Sequence, residues 1–306
     1  MVLPRPAGAA EASATYSVDQ LSLVASLAER RPCGAAEPRE GLELTINDDW
    51  RTTFDHASRR YLAARPNYPA ELYDDLIAVT GVAPPASFLE VGCGPGTATL
   101  PLARRGFAIA AVELGPALAA RARANLAGFP GVTVITSAFE DWQPTSREFD
   151  LVYAATAWHW VDPAIRYAKA AELLCRRGHL AVWAAGHAFP PGFDAFFTDI
   201  QRVYVDIGES HPGPWPPPPP DEAADAGADF EASGRFEVVG VRRYLWAVSY
   251  TADTYIELLD TFSGHIAMEA PKRELLYAEV RRLISARPDP RVTRHWSSVL
   301  TIGRAT

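Results

Sequence analysis

Residues 88–100 read FLEVGCGPGTATL, and the glycines set between an apolar run and a helical pattern decide how the rest of the chain is read. Phe88, Leu89 and Val91 form a short apolar run, as expected of a strand buried on both faces of a parallel sheet. Thr97 can cap the helix that follows, whose apolar positions are Leu100, Leu102 and Ala103. The glycines therefore occupy a strand-to-helix turn. Such a turn is expected to aim free main-chain N–H groups outward, and with no Cβ at Gly92, Gly94 or Gly96 a ligand can approach the backbone closely. The next apolar run, FAIAAVE, ends at Glu113, an acid at a strand tip that can accept two hydrogen bonds from a ribose diol. The glycine spacing is G-x-G-x-G and not the G-x-G-x-x-G of dinucleotide sites. Loop and acid alone leave a nicotinamide site and an adenosine site both open.

Outward from this turn the chain alternates. Apolar runs predict strands near 87–91, 108–113, 132–136, 149–155 and 179–185, with helices near 97–105, 116–127 and 163–175. Pro116 suits a first helical turn, where a missing N–H costs nothing. Strand alternating with helix predicts an α/β fold with a doubly wound parallel sheet. Residues 1–45, rich in Ala, Pro and Glu, are expected to be a partly disordered leader. It holds one helix over 17–30, where Ser17 and Gln20 make a capping box and Leu21, Val24, Leu27 and Ala28 follow at helical spacing. Residues 46–185 are read as the ligand-binding core with N-terminal lid helices. Phe54, Tyr61 and Leu62 precede the Arg65-Pro66 break, and a helix after Pro69 turns Leu72, Leu76, Ile77 and Val79 inward. Residues 186–306 are read as a cap insertion plus the strands that complete the sheet. A loop and helix there carry Phe193, Phe196, Phe197, Ile200 and Val203, and HPGPWPPPPP, residues 211–220, is expected to be an extended, polyproline-like linker. FEVVGVRRYLWAVSYT predicts a strand, 252–286 two helices, and VTRHWSSVLTIGRA the last strand.

Composition narrows the function classes. The 306 residues allow one large α/β domain with additions or two small ones. Hydrophobic residues at 48% and charged residues at 22% are ordinary for a soluble globular chain. No membrane span and no secretory signal are read, so the cytoplasm is the expected compartment. Cys33, Cys93 and Cys175 lie far apart, which suggests neither a disulfide framework nor a metal cluster. The net charge of −8, with only short basic pairs such as Arg59-Arg60 and Arg242-Arg243, disfavours nucleic acid as partner.

FLEVGCGPGTATL together with AVELGPAL (111–118) resembles the class I S-adenosylmethionine-dependent methyltransferases, small-molecule type 11-like branch, over roughly residues 50–185 and more weakly beyond. The resemblance implies a Rossmann-like, doubly wound, seven-stranded sheet with an antiparallel last strand, N-terminal helices and a helical cap insertion. It implies S-adenosyl-L-methionine as cofactor and S-adenosyl-L-homocysteine as product. These proteins place an acid two residues before the first glycine, and Glu90 matches. The implied cofactor set is Glu90, Gly92, Gly94 and Gly96 around the amino-acid end and ribose, with Glu113, followed by Leu114, at the ribose hydroxyls. Many relatives carry an Asp after the third strand for the adenine amino group, and here Ala138 stands there. Backbone groups around Ala138 and Phe139 are the substitute, with Phe139 packing beside the ring or simply in the core.

AATAWHWVDP, residues 154–163, resembles the hydrophobic-His-Trp signature of the same branch. By that likeness Ala155 lines the methionine part of the cofactor, and Trp158, His159 and Trp160 lie near where the methyl is delivered. His159 is the candidate general base because imidazole titrates near neutral pH; the other reading is a histidine held between tryptophan rings. Asp162 is most simply a helix N-cap. In YLAARPNYP, residues 61–69, Arg65 or Arg59 would pair with the cofactor carboxylate while Tyr61 and Tyr68 close the site; alternatively Arg65 is an exposed cation beside a turn. The acceptor pocket is expected from His187, Phe189, the 193–207 helix, Trp246, Tyr255, Phe262 and His265, although such aromatics are also ordinary core. The expected activity is methyl transfer to an O, N or C nucleophile of a small apolar or aromatic molecule, by a monomer or homodimer. A nicotinamide-dependent oxidoreductase and a non-catalytic S-adenosylmethionine-binding protein are the alternatives.

Overall fold

The computed structural model describes residues 65–144, 148–210, 213 and 215–306. The expected leader helix over 17–30, and Phe54, Arg59, Tyr61 and Leu62, lie outside those residues. Helix α1 (Ala70–Thr80) starts after Pro69 and stops at Gly81, whose φ of 67° lets its N–H close on the Ile77 carbonyl at 2.9 Å. Then the alternation follows: β1 (Ser87–Val91), α2 (Thr99–Arg104), β2 (Ala108–Glu113), α3 (Pro116–Asn125), β3 (Val132–Thr136), β4 (Phe149–Ala155), α4 (Arg166–Leu173) and β5 (Leu174–Trp183). All these strands pair in parallel, β2 between β3 and β1, and β4 between β1 and β5.

The remainder completes and caps that sheet. A short strand β6 (Ala185–Ala188), where the sequence predicts only loop, precedes α5 (Phe196–Asp206) and α6 (Gly227–Ala232). The long β7 (Phe236–Tyr250) leads into α7 (Ala252–Leu259), α8 (Ser263–Ala267) and α9 (Ala270–Ser285), three helices where two are expected, and β8 (Val292–Ala305) closes the chain. β8 runs antiparallel to β5, β6 and β7. Val182 faces Thr301 and Ala185 faces Ser298, so β6 continues the register of β5 without a slip. Among the described residues, eight strands thus make seven rows, with the antiparallel row second from the edge.

Side chains alternate across β1, and both directions are buried. Phe88 packs under α1 and α2 with Leu72, Leu76 and Leu102, whereas Leu89 and Val91 pack on the opposite face with Tyr167, Ala170 and Leu173 of α4. Two covered faces account for the continuous apolar runs. The cap has its own core, in which Phe196, Phe197, Tyr255, Leu276 and Val280 gather around Trp296 of β8. Asp194, just before α5, ties this cap to the sheet. Arg287 holds both carboxylate oxygens at 2.7 and 2.9 Å, and Thr293 N–H donates at 3.0 Å. Partial burial raises the Asp194 carboxyl, but these donors outweigh it and hold the group below its ordinary value.

Packing is tight at Gly303 of β8, where an added Cβ would stand 2.5 Å from Cδ2 of the fully buried Phe230. Gly303→Ala should therefore cost about 1–3 kcal/mol through overpacking. A thermal melt with an unshifted midpoint would contradict this account.

Candidate functional site

The carboxyl ends of β1 and β4 diverge at the reversal of strand order, and a cleft of about 190 Å³ opens there. In open α/β sheets this crevice is where ligands bind. Glu90, Gly92, Gly94, Glu113, Leu114, Phe139, Ala155, Trp160 and Arg65 all line it.

The glycine loop differs from its expected form in one respect. Its donors are already engaged: the N–H groups of Gly92 and Cys93 reach the Val112 carbonyl at 2.8 and 3.1 Å, and that of Gly96 reaches Cys93 at 2.9 Å. Gly94 N–H donates to Glu113 Oε2 at 2.7 Å, while Gly115 N–H donates to Oε1 at 2.8 Å. Glu113 thus braces the loop and keeps its plane fixed at the cleft wall. Gly92 (φ 68°) and Gly94 (φ 54°) need the left-handed conformation, and a Cβ on Gly92 would meet that of Ala157 at 2.5 Å. Gly96 does not line the cleft; a Cβ there would meet Leu126, just after α3, at 2.9 Å, so its role is packing. Thr97 lines the cleft rather than capping α2, whose Ala98 N-cap supplies no side-chain bond.

Glu90 is 1% exposed yet reaches the cleft. Burial pushes its carboxyl up to about 8, even though hydroxyls of Thr99 (2.5 Å) and Tyr153 (2.8 Å) donate to Oε2 and pull the other way. After β3, Ala138 is off the cleft, and its carbonyl accepts from Ser137 Oγ and Trp142 N–H at 2.9 and 3.0 Å. Ser137 takes its place in the lining, beside Phe139, which is 3% exposed and also packs with Trp158.

Trp158–Trp160 forms a 3-10 turn, whose three residues per turn send adjacent side chains in three directions. Trp160 faces the cleft. Trp158 is buried between Phe139 and Tyr167 at 6.3 and 5.6 Å, its carbonyl held by Arg166 Nη1 at 3.2 Å. His159 does not line the cleft; its ring lies 4.9 Å from that of Trp160. Burial, with the Arg166 charge behind it, lowers its imidazole to about 4, which leaves it a weak proton acceptor at neutral pH. Asp162 accepts from Ala164 N–H at 2.8 Å, as a cap would, although α4 begins later, at Arg166.

The three other expected acceptor residues lie in the cap and not in the lining. His187 packs on Phe189 and Phe197 at 4.0 and 4.5 Å, and burial, then Arg294 and His295, hold it far below ordinary imidazole. His265 Nε2 meets the Tyr204 hydroxyl at 2.9 Å. Trp246 stacks on Trp296 at 6.5 Å, and it is Trp296 that reaches the cleft. Arg65 lies over Phe262 at 4.2 Å and bonds Thr261 Oγ1 at 3.0 Å.

Thr156 was legible to no motif. It follows Ala155 with φ 57°, an outlier for a β-branched residue, and its hydroxyl meets Tyr68 OH at 2.6 Å and Ala185 N–H at 3.3 Å. It fastens the segment before α1 to the junction of β5 and β6.

Residues 88–178 match the family described as a methyltransferase domain. Through this segment the chain resembles methyltransferase domains. Proteins named as uncharacterized methyltransferases in Mycobacterium tuberculosis and Mycobacterium bovis are 33% identical to this chain over 136 residues, 44% of this chain and 53% of theirs. A Synechocystis protein of the same description is 32% identical over 83 residues, 27% of this chain and 38% of its own. The chain thus spans about half the length of the mycobacterial relatives it matches. A solved structure from Anaeromyxobacter dehalogenans, named provisionally as a type II methyltransferase, superposes with a TM-score of 0.56 at 22% identity, covering 78% of this chain and 97% of that one. That likeness is one of fold. Among the described residues no helix is long and apolar enough to cross a membrane.

Gly92→Ala combines a left-handed strain with a clash against Ala157, whereas Gly94→Ala meets no atom within 4 Å. The first should lower the melting temperature more than the second, by the equivalent of about 1–3 kcal/mol. Equal melting temperatures would contradict the geometry.

Proposed function

We propose that this chain uses S-adenosyl-L-methionine to methylate an O, N or C nucleophile of a small molecule in the cytoplasm. One observation carries the reading: the cleft floor presents two carboxylates, Glu90 and Glu113, while the loop's N–H groups at Gly92, Cys93, Gly94 and Gly96 have partners within the protein. A pyrophosphate would want free donors and would be repelled by the Glu113 carboxylate. An ammonium, a sulfonium and a ribose diol suit the acids. This favours an adenosyl sulfonium over a nicotinamide dinucleotide.

When bound, that cofactor supplies an electrophilic methyl group on a cationic sulfur. Glu113, braced at Gly94 and Gly115, is placed to accept from the ribose hydroxyls. Glu90 would face the amino-acid end, and Leu114, Ser137 and Phe139 would flank the base. Across the cleft, Arg65, Tyr68, Thr156, Trp160, Ala185 and Trp296 form the wall left for the acceptor. Trp160 and Trp296 suit an apolar or aromatic body, and the Tyr68–Thr156 hydroxyl pair offers a hydrogen bond to a polar head. The residues' main contribution is to align the acceptor in line with the methyl and to keep water out, since oriented reactants account for much of such a barrier's reduction.

Calorimetry of the full chain with S-adenosylhomocysteine should show binding, and Glu113→Ala should weaken it at least about tenfold, as expected when a charge-assisted bond is lost. Binding of NAD with none of S-adenosylhomocysteine would reverse the reading in favour of an oxidoreductase. A methyl-release screen over phenols, amines and carboxylic acids then identifies the acceptor; no turnover despite cofactor binding would favour a non-catalytic binder.

A further inference from the structure

Tyr153 of β4 has no place in the cleft lining, yet its hydroxyl donates 2.8 Å to Glu90 Oε2 in a fully buried setting. The same oxygen receives the Thr99 hydroxyl from the start of α2. Tyr153 is itself held: its ring lies flat on Trp183 at 5.6 Å with an interplanar angle of 4°, and edge-on to Phe88 at 6.3 Å. Trp183 is in turn met edge-on by Tyr68 at 5.9 Å and Tyr73 at 6.2 Å, and its carbonyl accepts from Thr156 N–H at 2.7 Å. A buried carboxyl has no water to compensate it, so the hydroxyls that reach it decide its orientation and the ease with which it carries charge.

We propose that Tyr153 is a positioning residue for the cofactor, fixing the Glu90 carboxyl toward the cleft and stabilising its charged form when a cationic amino group is bound beside it. This rests on the reading of the cleft as an S-adenosylmethionine site. The stack on Trp183 makes the device rigid, and because Trp183 also contacts Tyr68 and Thr156, the orientation of Glu90 is tied to the wall that faces the acceptor.

The sign of the pH effect follows from the unliganded group. Burial holds Glu90 up to about 8, and an ammonium beside it lowers that value, so binding releases a proton and affinity rises with pH until the free carboxyl is ionised near 8. Removing a hydroxyl that favours the carboxylate moves this plateau to higher pH.

The test is calorimetry of S-adenosylhomocysteine on the full chain from pH 6 to 9.5, for the unmodified protein, Tyr153→Phe and Tyr73→Phe. Tyr73 is a matched control, because it is equally buried and edge-on to the same tryptophan, and among the described residues its hydroxyl makes no hydrogen bond. The expected result for Tyr153→Phe is about a tenfold loss of affinity at pH 7, the scale of a hydrogen bond to a charged group, with the plateau displaced upward; Tyr73→Phe should leave both unchanged. Thermal melts run alongside, since a merely structural role would lower the melting temperature of Tyr153→Phe without moving the plateau. Binding by the unmodified protein with an identical affinity and pH profile in Tyr153→Phe would overturn the inference and leave the cofactor reading standing. No binding by the unmodified protein at any pH would overturn the cofactor reading, and the inference with it.

Discussion

The cleft depends on a single carboxylate. Glu113 sits at the tip of β2 and takes one N–H from the glycine loop and another from the turn that opens α3. Those two bonds tie the glycine loop to the turn after β2 on one wall of the crevice. The loop's other donors turn inward to Val112 and Cys93, so the surface it presents is bare backbone backed by acid. That electrostatic character separates this turn from phosphate-gripping loops built on the same strand-loop-helix scaffold.

The second acid works under the opposite condition. Glu113 is bonded by main-chain donors, whereas among the described residues Glu90, in the core, is held by two hydroxyls. Burial raises Glu90, which makes it a group that changes charge when its surroundings change. One carboxylate is scaffold and the other responds.

Much of this was legible in the sequence, because it is written in local pattern. The runs around Phe88, Ile109 and Leu151 are short and apolar since both faces of their strands are covered, and the glycines and Pro116 mark turns with fixed backbone needs. What was not legible depends on register and on distant partners. Whether Trp246 or Trp296 reaches the cleft is settled by the pairing of β7 with β8, which places them opposite each other and leaves only Trp296 on the lining. His159 and Trp158 look like site residues beside Trp160, but a 3-10 turn spreads three neighbours over three directions. His187 and His265 resemble ligands in one dimension, but in three they pack against aromatic side chains of the cap, Phe189 and Phe197 for the first and Tyr204 for the second. Thr156 carries no motif, since its outlying backbone arises only where β4 ends against the β5–β6 junction. The loss of one helix boundary was simpler: Thr97 has the chemistry of a cap, but the helix begins two residues later at Thr99, whose hydroxyl is drawn to Glu90.

The long β8 has a bearing on traffic through the site. Its first half, with Val292 and Trp296, belongs to the cap core, and its second, with Leu300 and Ile302, to the sheet core. Core and cap are thus threaded on one fourteen-residue strand laddered along its length to β7. A roof built on the same beam as the floor cannot swing open without splitting that beam from its neighbours. Arg65, Pro66 and Tyr68 line the cleft beside that beam, and side-chain bonds to Thr261 and Thr156 hold this span there as well.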